Sequence, residues 1–200
     1  MIMKSNADNK TVIKRNIIHV LSVLFIPFAV IFSDRVAVLV LSSFLLFYIL
    51  YLVFKLHPKL PTWKKIEKYI DQFSYTRFTG KVDYGFIFLG LGIILTTVFF
   101  STGELYPNPA YAGIIILAFV DGFSAMTVLL KNRKFISKTS SLEGSIVGLI
   151  TAFVGALLFV PYTIALVGAA IGSVIETFFP TIDDNLIIPI FSAFVMSLML

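Results

Sequence analysis

The sequence predicts an all-α protein: a multi-pass integral membrane bundle of about seven transmembrane helices, with one amphipathic helix lying at the interface. Three observations carry this. Apolar residues (AVILMFWYC) make up 58% of the 200 residues and charged residues only 14%, against roughly 45–50% and about 25% in globular domains. A chain this short cannot hide so much apolar surface in its own core, because small domains bury a limited share of their surface. The apolar residues also fall into seven stretches, and 15 of the 16 Lys and Arg residues fall into alternate connections between them. One membrane domain is expected over 1–200, with a hairpin and the interfacial helix in 16–83 and a helical core in 84–200. The chain has no cysteine, which excludes disulfides, thiolate metal sites and cysteine nucleophiles together.

The stretches are Asn16–Phe32, Val36–Phe54, Tyr84–Phe100, Ala110–Leu130, Ser145–Phe159, Tyr162–Phe178 and Leu186–Leu200. A spanning helix needs ~20 apolar residues, within about 17–25, and the first four fit. The first follows Lys4, Lys10, Lys14 and Arg15, as a signal peptide would. No A-x-A-like cleavage site follows it, and a second span comes almost at once, so it is expected to stay in the protein. The fifth and sixth stretches form one run divided by Pro161. Proline breaks a helix interior, so two short or tilted helices are expected there. The seventh is also short.

Between the second and third stretches, Trp63, Ile66, Ile70 and Phe73 recur at helical spacing with Lys64, Lys65, Lys68 and Asp71 between them. Pro61 suits a first helical turn, where its missing N–H is no loss. Residues 61–74 read either as an amphipathic helix on the membrane surface, its lysines toward anionic headgroups, or as a loop helix packed on the bundle. Basic residues are concentrated in 1–15, in 55–83 (Lys55, Lys59, Lys64, Lys65, Lys68, Arg77, Lys81) and in 131–144 (Lys131, Arg133, Lys134, Lys138), while 101–109 has none. The positive-inside rule puts these basic segments and the N-terminus in the cytosol, and with seven spans the C-terminus lies outside. The formal charge of +5 is thereby mainly an orientation signal, and no nucleic-acid partner is expected.

Acidic residues are the informative ones in a bilayer. Asp121 lies within the fourth stretch, where an ionisable group costs at least ~2.5–3.5 kcal/mol on insertion scales and is functional by default. It can instead pair with Lys131 or Arg133, or hydrogen-bond inside the bundle. Glu176 ends the sixth stretch, Glu143 precedes the fifth, and Asp183 and Asp184 precede the seventh. Five of the 11 acids thus converge on the cytosolic rim, opposite the basic residues of 131–138. Magnesium takes one or two carboxylates plus phosphate oxygens, and Lys and Arg neutralise the remaining phosphate charge. The run Lys138-Thr139-Ser140-Ser141-Leu142-Glu143-Gly144-Ser145 supplies four hydroxyls and a glycine at a helix start, where free N–H groups favour anions. The alternative there is a capped helix with snorkelling lysines. His19, at the cytosolic start of the first helix, reads as structural or functional. Gly144/Gly148 and Gly168/Gly172 have the small-xxx-small spacing that lets helices approach.

Several of these pieces occur in an order that resembles the membrane polyprenol kinases, a family that includes dolichol kinase, phytol kinase and the CTP-dependent diacylglycerol kinase. Lys14-Arg15-Asn16-Ile17-Ile18-His19 is similar to the family's basic-plus-histidine opening. Thr79-Gly80 before Leu89-Gly90 is similar to its approach to the next span, and Val120-Asp121-Gly122-Phe123-Ser124-Ala125 to its aspartate–small-residue motif. Ser141-Leu142-Glu143-Gly144-Ser145 resembles the hydroxyl-x-Glu-Gly-Ser hallmark, and Glu176 with Asp184-Asn185-Leu186-Ile187-Ile188-Pro189 the closing signature. Two details depart from the pattern. Leu130-Lys131-Asn132-Arg133-Lys134 lacks the usual glycines, and Ser140 stands where lysine is usual, with Lys138 two residues upstream.

The resemblance implies transfer of the γ-phosphoryl group of CTP to the hydroxyl of an isoprenoid alcohol such as dolichol, a polyprenol or geranylgeraniol. A long lipid alcohol stays in the bilayer and meets a cytosolic nucleotide at the interface. The resemblance also implies Asp121, Glu143 and Asp184 as magnesium or catalytic carboxylates, Asp121 being alternatively the acceptor of the alcohol's proton. Lys131, Arg133, Lys134, Lys138, Ser140, Ser141, Gly144 and Ser145 would contact the nucleotide. His19, Glu176 and Asn185 are secondary site residues. The family's relatives, the CTP:phosphatidate cytidylyltransferases, supply the nearest alternative activity. A small transporter with Asp121 and Glu176 as relay groups is another, although no inverted repeat of the transporter kind is visible. Asp121-Gly122-x-x-Ala125 also occurs in CDP-alcohol phosphotransferases, but Met126 and Lys131–Lys134 do not fit that class.

Overall fold

The computed structural model describes residues 17–56, 85–126, 141–179 and 183–200, and among these every regular element is helical. Seven helices follow in chain order. Helix α1 is Ile17–Phe32, tightened to a 3₁₀ turn at Ser22–Leu24. Helix α2 is Asp34–Leu56, α3 Gly85–Phe100, α4 Pro109–Met126, α5 Leu142–Ala156, α6 Tyr162–Phe178 and α7 Asp184–Leu198. Each coincides with one of the seven apolar stretches. The amphipathic segment 61–74 lies outside the described residues.

The breaks have local causes. Ser33, a non-glycine residue, adopts φ 81°, a backbone region disfavoured for L-residues, and separates α1 from α2. The Asp34 carboxylate after it accepts hydrogen bonds from the Ser101 hydroxyl and, at 2.5 Å, from the Tyr111 hydroxyl, which holds the strained joint in place. Asn108 caps α4, its side-chain oxygen accepting from the Ala110 and Tyr111 amides at 3.1 and 3.3 Å. Its own amide donates to the Phe159 carbonyl at 2.7 Å. That bond ties the α3–α4 connection to the turn at Leu157–Val160, where Pro161 separates α5 from α6 as expected. One end of the bundle is closed by this network.

Helix α4 is central. Every residue from Asn108 to Ala118 is buried, and α4 packs most extensively on α5, then on α7, α6, α3 and α1. Two glycines permit close approach to another helix's backbone. A Cβ on Gly113 would lie 2.6 Å from the Pro189 carbonyl oxygen, and one on Gly92 would run into the Asn185 carbonyl. Both obstacles are backbone, which cannot swing aside. Pro189, inside α7, has no N–H to offer the Asn185 carbonyl four residues earlier, so that oxygen faces Gly92 without a helical partner. Gly168 and Gly172 seat Met196 and Ile116 in the same way, in line with their small-xxx-small spacing.

The described helices expose large apolar side chains: Ile31, Leu39, Phe44, Phe47, Phe99 and Leu158 are each about two-thirds or more exposed. One helix among the described residues, Asp34–Val53 with a mean hydropathy of 2.6, is both long and apolar enough to cross a membrane. The other six are apolar but shorter. At 1.5 Å per residue, the 15 residues of α5 rise ~22 Å, short of the ~30 Å hydrocarbon core. The fifth, sixth and seventh stretches were expected to be short, and α5, α6 and α7 have 15, 17 and 15 residues.

Candidate active site

Three side-chain contacts at the end of the bundle opposite Asp34 bring six helices together there. His19, in the first turn of α1, places Nδ1 2.7 Å from Oδ2 of Asp121 on α4, and both side chains are at most 5% exposed. Ser145 on α5 and Thr177 on α6 share a hydroxyl–hydroxyl bond of 2.8 Å. The Asn185 side-chain amide at the start of α7 donates to the Gly85 carbonyl at the start of α3, at 3.4 Å.

The His19–Asp121 contact is close in distance but skewed from the hydrogen-bond direction. At 2.7 Å the two groups are close enough to interact electrostatically despite that skew. Among the described residues, no other group answers the buried His19 Nδ1. The contact sets the Asp121 carboxylate against the first described turn of α1. The alternative partners Lys131 and Arg133 lie outside the described residues.

The hydroxyl-Glu-Gly-Ser run folds as a helix start, and its groups turn inward. The Ser141 hydroxyl caps α5, accepting the Gly144 amide at 3.1 Å. Ser145 donates back to the Ser141 carbonyl at 3.2 Å, and its carbonyl accepts from Ser173 at 3.3 Å. As phosphate contacts, Ser141, Gly144 and Ser145 are therefore engaged within the fold, and Glu143 stands half-buried in the first turn. On α7, Asp183 is the N-cap, and the Asn185 amide is accepted by Asp183 at 3.2 Å and by Asp184 at 3.0 Å. Glu176 accepts from its neighbour Thr177 at 3.3 Å. Lys131, Arg133, Lys134, Lys138 and Ser140 lie outside the described residues.

Among the described residues, no three His, Asp or Glu side chains stand close enough to hold a metal ion by themselves. Glu143 and Asp184 are nevertheless the right donor type for a hard cation. Both are half-buried carboxylates on first helical turns at this end, and magnesium needs only one or two carboxylates when phosphate supplies further oxygens. The pairing of His19 with Asp121 was not legible in the sequence, which suggests only that both residues lie near the same rim. The chain matches no family model, no curated protein and no solved structure.

Proposed function

We propose that the protein is an integral membrane lipid-alcohol kinase, transferring the γ-phosphoryl group of CTP to the hydroxyl of an isoprenoid alcohol at the cytosolic face. The observation that carries this reading is the gathering of His19, Asp121, Glu143, Asp184 and Asn185 at one end of a bundle whose described helices expose large apolar side chains. Such exposed apolar surface is unfavourable in water and ordinary against lipid. Six helices shorter than the hydrocarbon core suit a bundle that thins the bilayer locally, bringing the rim closer to a lipid hydroxyl. By the positive-inside rule that rim is cytosolic, with the N-terminus on the same side.

Phosphoryl transfer asks a protein mainly for positioning and charge stabilisation. In this reading Glu143 and Asp184 would hold magnesium, which neutralises phosphate charge when bound. Lys131, Arg133, Lys134 and Lys138 supply further positive charge to the triphosphate. Asp121 is engaged by His19 and falls to the acceptor side of the reaction.

The test is the full-length protein in nanodiscs with Mg²⁺ and CTP labelled at the α or the γ phosphate, against farnesol, geranylgeraniol, dolichol and diacylglycerol. The expected result is γ-label in the lipid. Label from the α position with release of pyrophosphate would make the protein a cytidylyltransferase instead, and phosphorylation of none of the four would overturn the kinase reading.

A further inference from the structure

Resting on that reading, we infer that His19, rather than Asp121, accepts the alcohol's proton, and that Asp121 orients the imidazole. The argument starts from the two ring nitrogens. Nδ1 lies 2.7 Å from the Asp121 carboxylate. A nitrogen facing a carboxylate carries the proton, because the deprotonated nitrogen and the carboxylate would repel each other through their lone pairs. In a neutral imidazole, a protonated Nδ1 leaves Nε2 as the proton acceptor. A carboxylate behind Nδ1 fixes the ring and stabilises the imidazolium that forms when Nε2 takes a proton, the logic that operates in hydrolytic triads.

Placement agrees. His19 lies in the first described turn of α1, the level at which a hydroxyl on a bilayer-embedded chain meets the interface. His19 and Asp121 are equally buried, each 3% exposed, and of the two it is the ring that has a second nitrogen, Nε2, beyond the one facing its partner.

In the step assigned, the alcohol O–H proton passes to Nε2 as the alcohol oxygen bonds to the γ-phosphorus. The bond from that phosphorus to the β–γ bridging oxygen breaks, and CDP leaves with the electron pair. The products are a lipid monophosphate and CDP, and the imidazolium then returns its proton to water.

His19→Asn separates a base from a merely positioning residue. The asparagine amide nitrogen takes the place of Nδ1 and can still donate to Asp121, while nothing replaces Nε2. With CTP and farnesol, the base assignment expects His19→Asn and His19→Ala alike to lower kcat on the order of 10²–10⁴-fold, with the KM for CTP within about twofold of wild type. It also expects the loss to shrink for a farnesol analogue fluorinated beside the hydroxyl, whose more acidic proton needs less help. If His19→Ala does not fold, His19→Asn and the fluorinated alcohol carry the test. An active wild type with His19→Asn within about threefold of it, or a loss equal for both alcohols, overturns the assignment and leaves the kinase reading standing. A wild type inactive on all acceptors overturns both.

Discussion

The Ser141 hydroxyl accepts the Gly144 amide at 3.1 Å and is 5% exposed, so its first duty is to a helix. Removing such a cap costs typically about 1 kcal/mol. Ser141→Ala is expected to lower thermal stability by that order, read as a shift in unfolding midpoint, while the KM for CTP stays within about twofold. A tenfold rise in KM at unchanged stability would put the hydroxyl on a phosphate instead. Residue-scale chemistry of this kind was half legible. The sequence shows a hydroxyl, an acid and a glycine together, and both a cap and an anion site use that set. Geometry separates them, because it shows which group the hydroxyl already serves. His19 and Asp121 were each visible, but their pairing joins α1 to α4 across a long separation in sequence and depends on packing that no local pattern encodes.

At the scale of elements, one tight constraint is the crossing of α4 over α7. Gly113 lies against the Pro189 carbonyl, with the Ala193 side chain 3.1 Å from where a Cβ would sit. Gly113→Ala should therefore push the helices apart and cost about 1–3 kcal/mol, the usual range for overpacking, measurable by thermal unfolding in detergent. An unchanged midpoint would mean the crossing gives way freely. The seven apolar runs located the helices well because hydropathy reports burial and lipid contact over many residues at once. Their ends were less legible. Helix α5 starts at Leu142 and α7 at Asp184, ahead of the apolar residues that announced them, because the first turn is built from polar capping groups that hydropathy discounts. Crossings such as Gly92 on Asn185 are not legible at all, since neither residue marks its partner.

For the whole molecule, the polar groups divide between two ends. Asp34, Ser101, Asn108 and Tyr111 close one end with hydrogen bonds among themselves. His19, Asp121, Glu143 and Asp184 occupy the other, beside chain segments rich in Lys and Arg. Because the chain has no cysteine, single cysteines report sidedness cleanly. In oriented vesicles, Leu105→Cys should react with an impermeant maleimide from the outside, and Lys138→Cys only after the membrane is opened. Labelling of both from the same side would overturn the orientation. That Asp34 anchors the end opposite His19 was not legible, because a lone acid beside one arginine in a short turn looks like any solvated turn.

The contact between His19 and Asp121 also has a meaning in time. A ribosome delivers α1 first, and its histidine then waits while two more helices are made, with its carboxylate partner not yet synthesised. Helix α4 arrives next, yet its buried face is covered only when α5, α6 and α7 follow, the last of them bringing Asn185 beneath Gly85. The acidic groups of α5 and α7 join that pair only after all seven helices are made, so a product that stops after α4 holds His19 and Asp121 but lacks Glu143, Asp184 and Asn185.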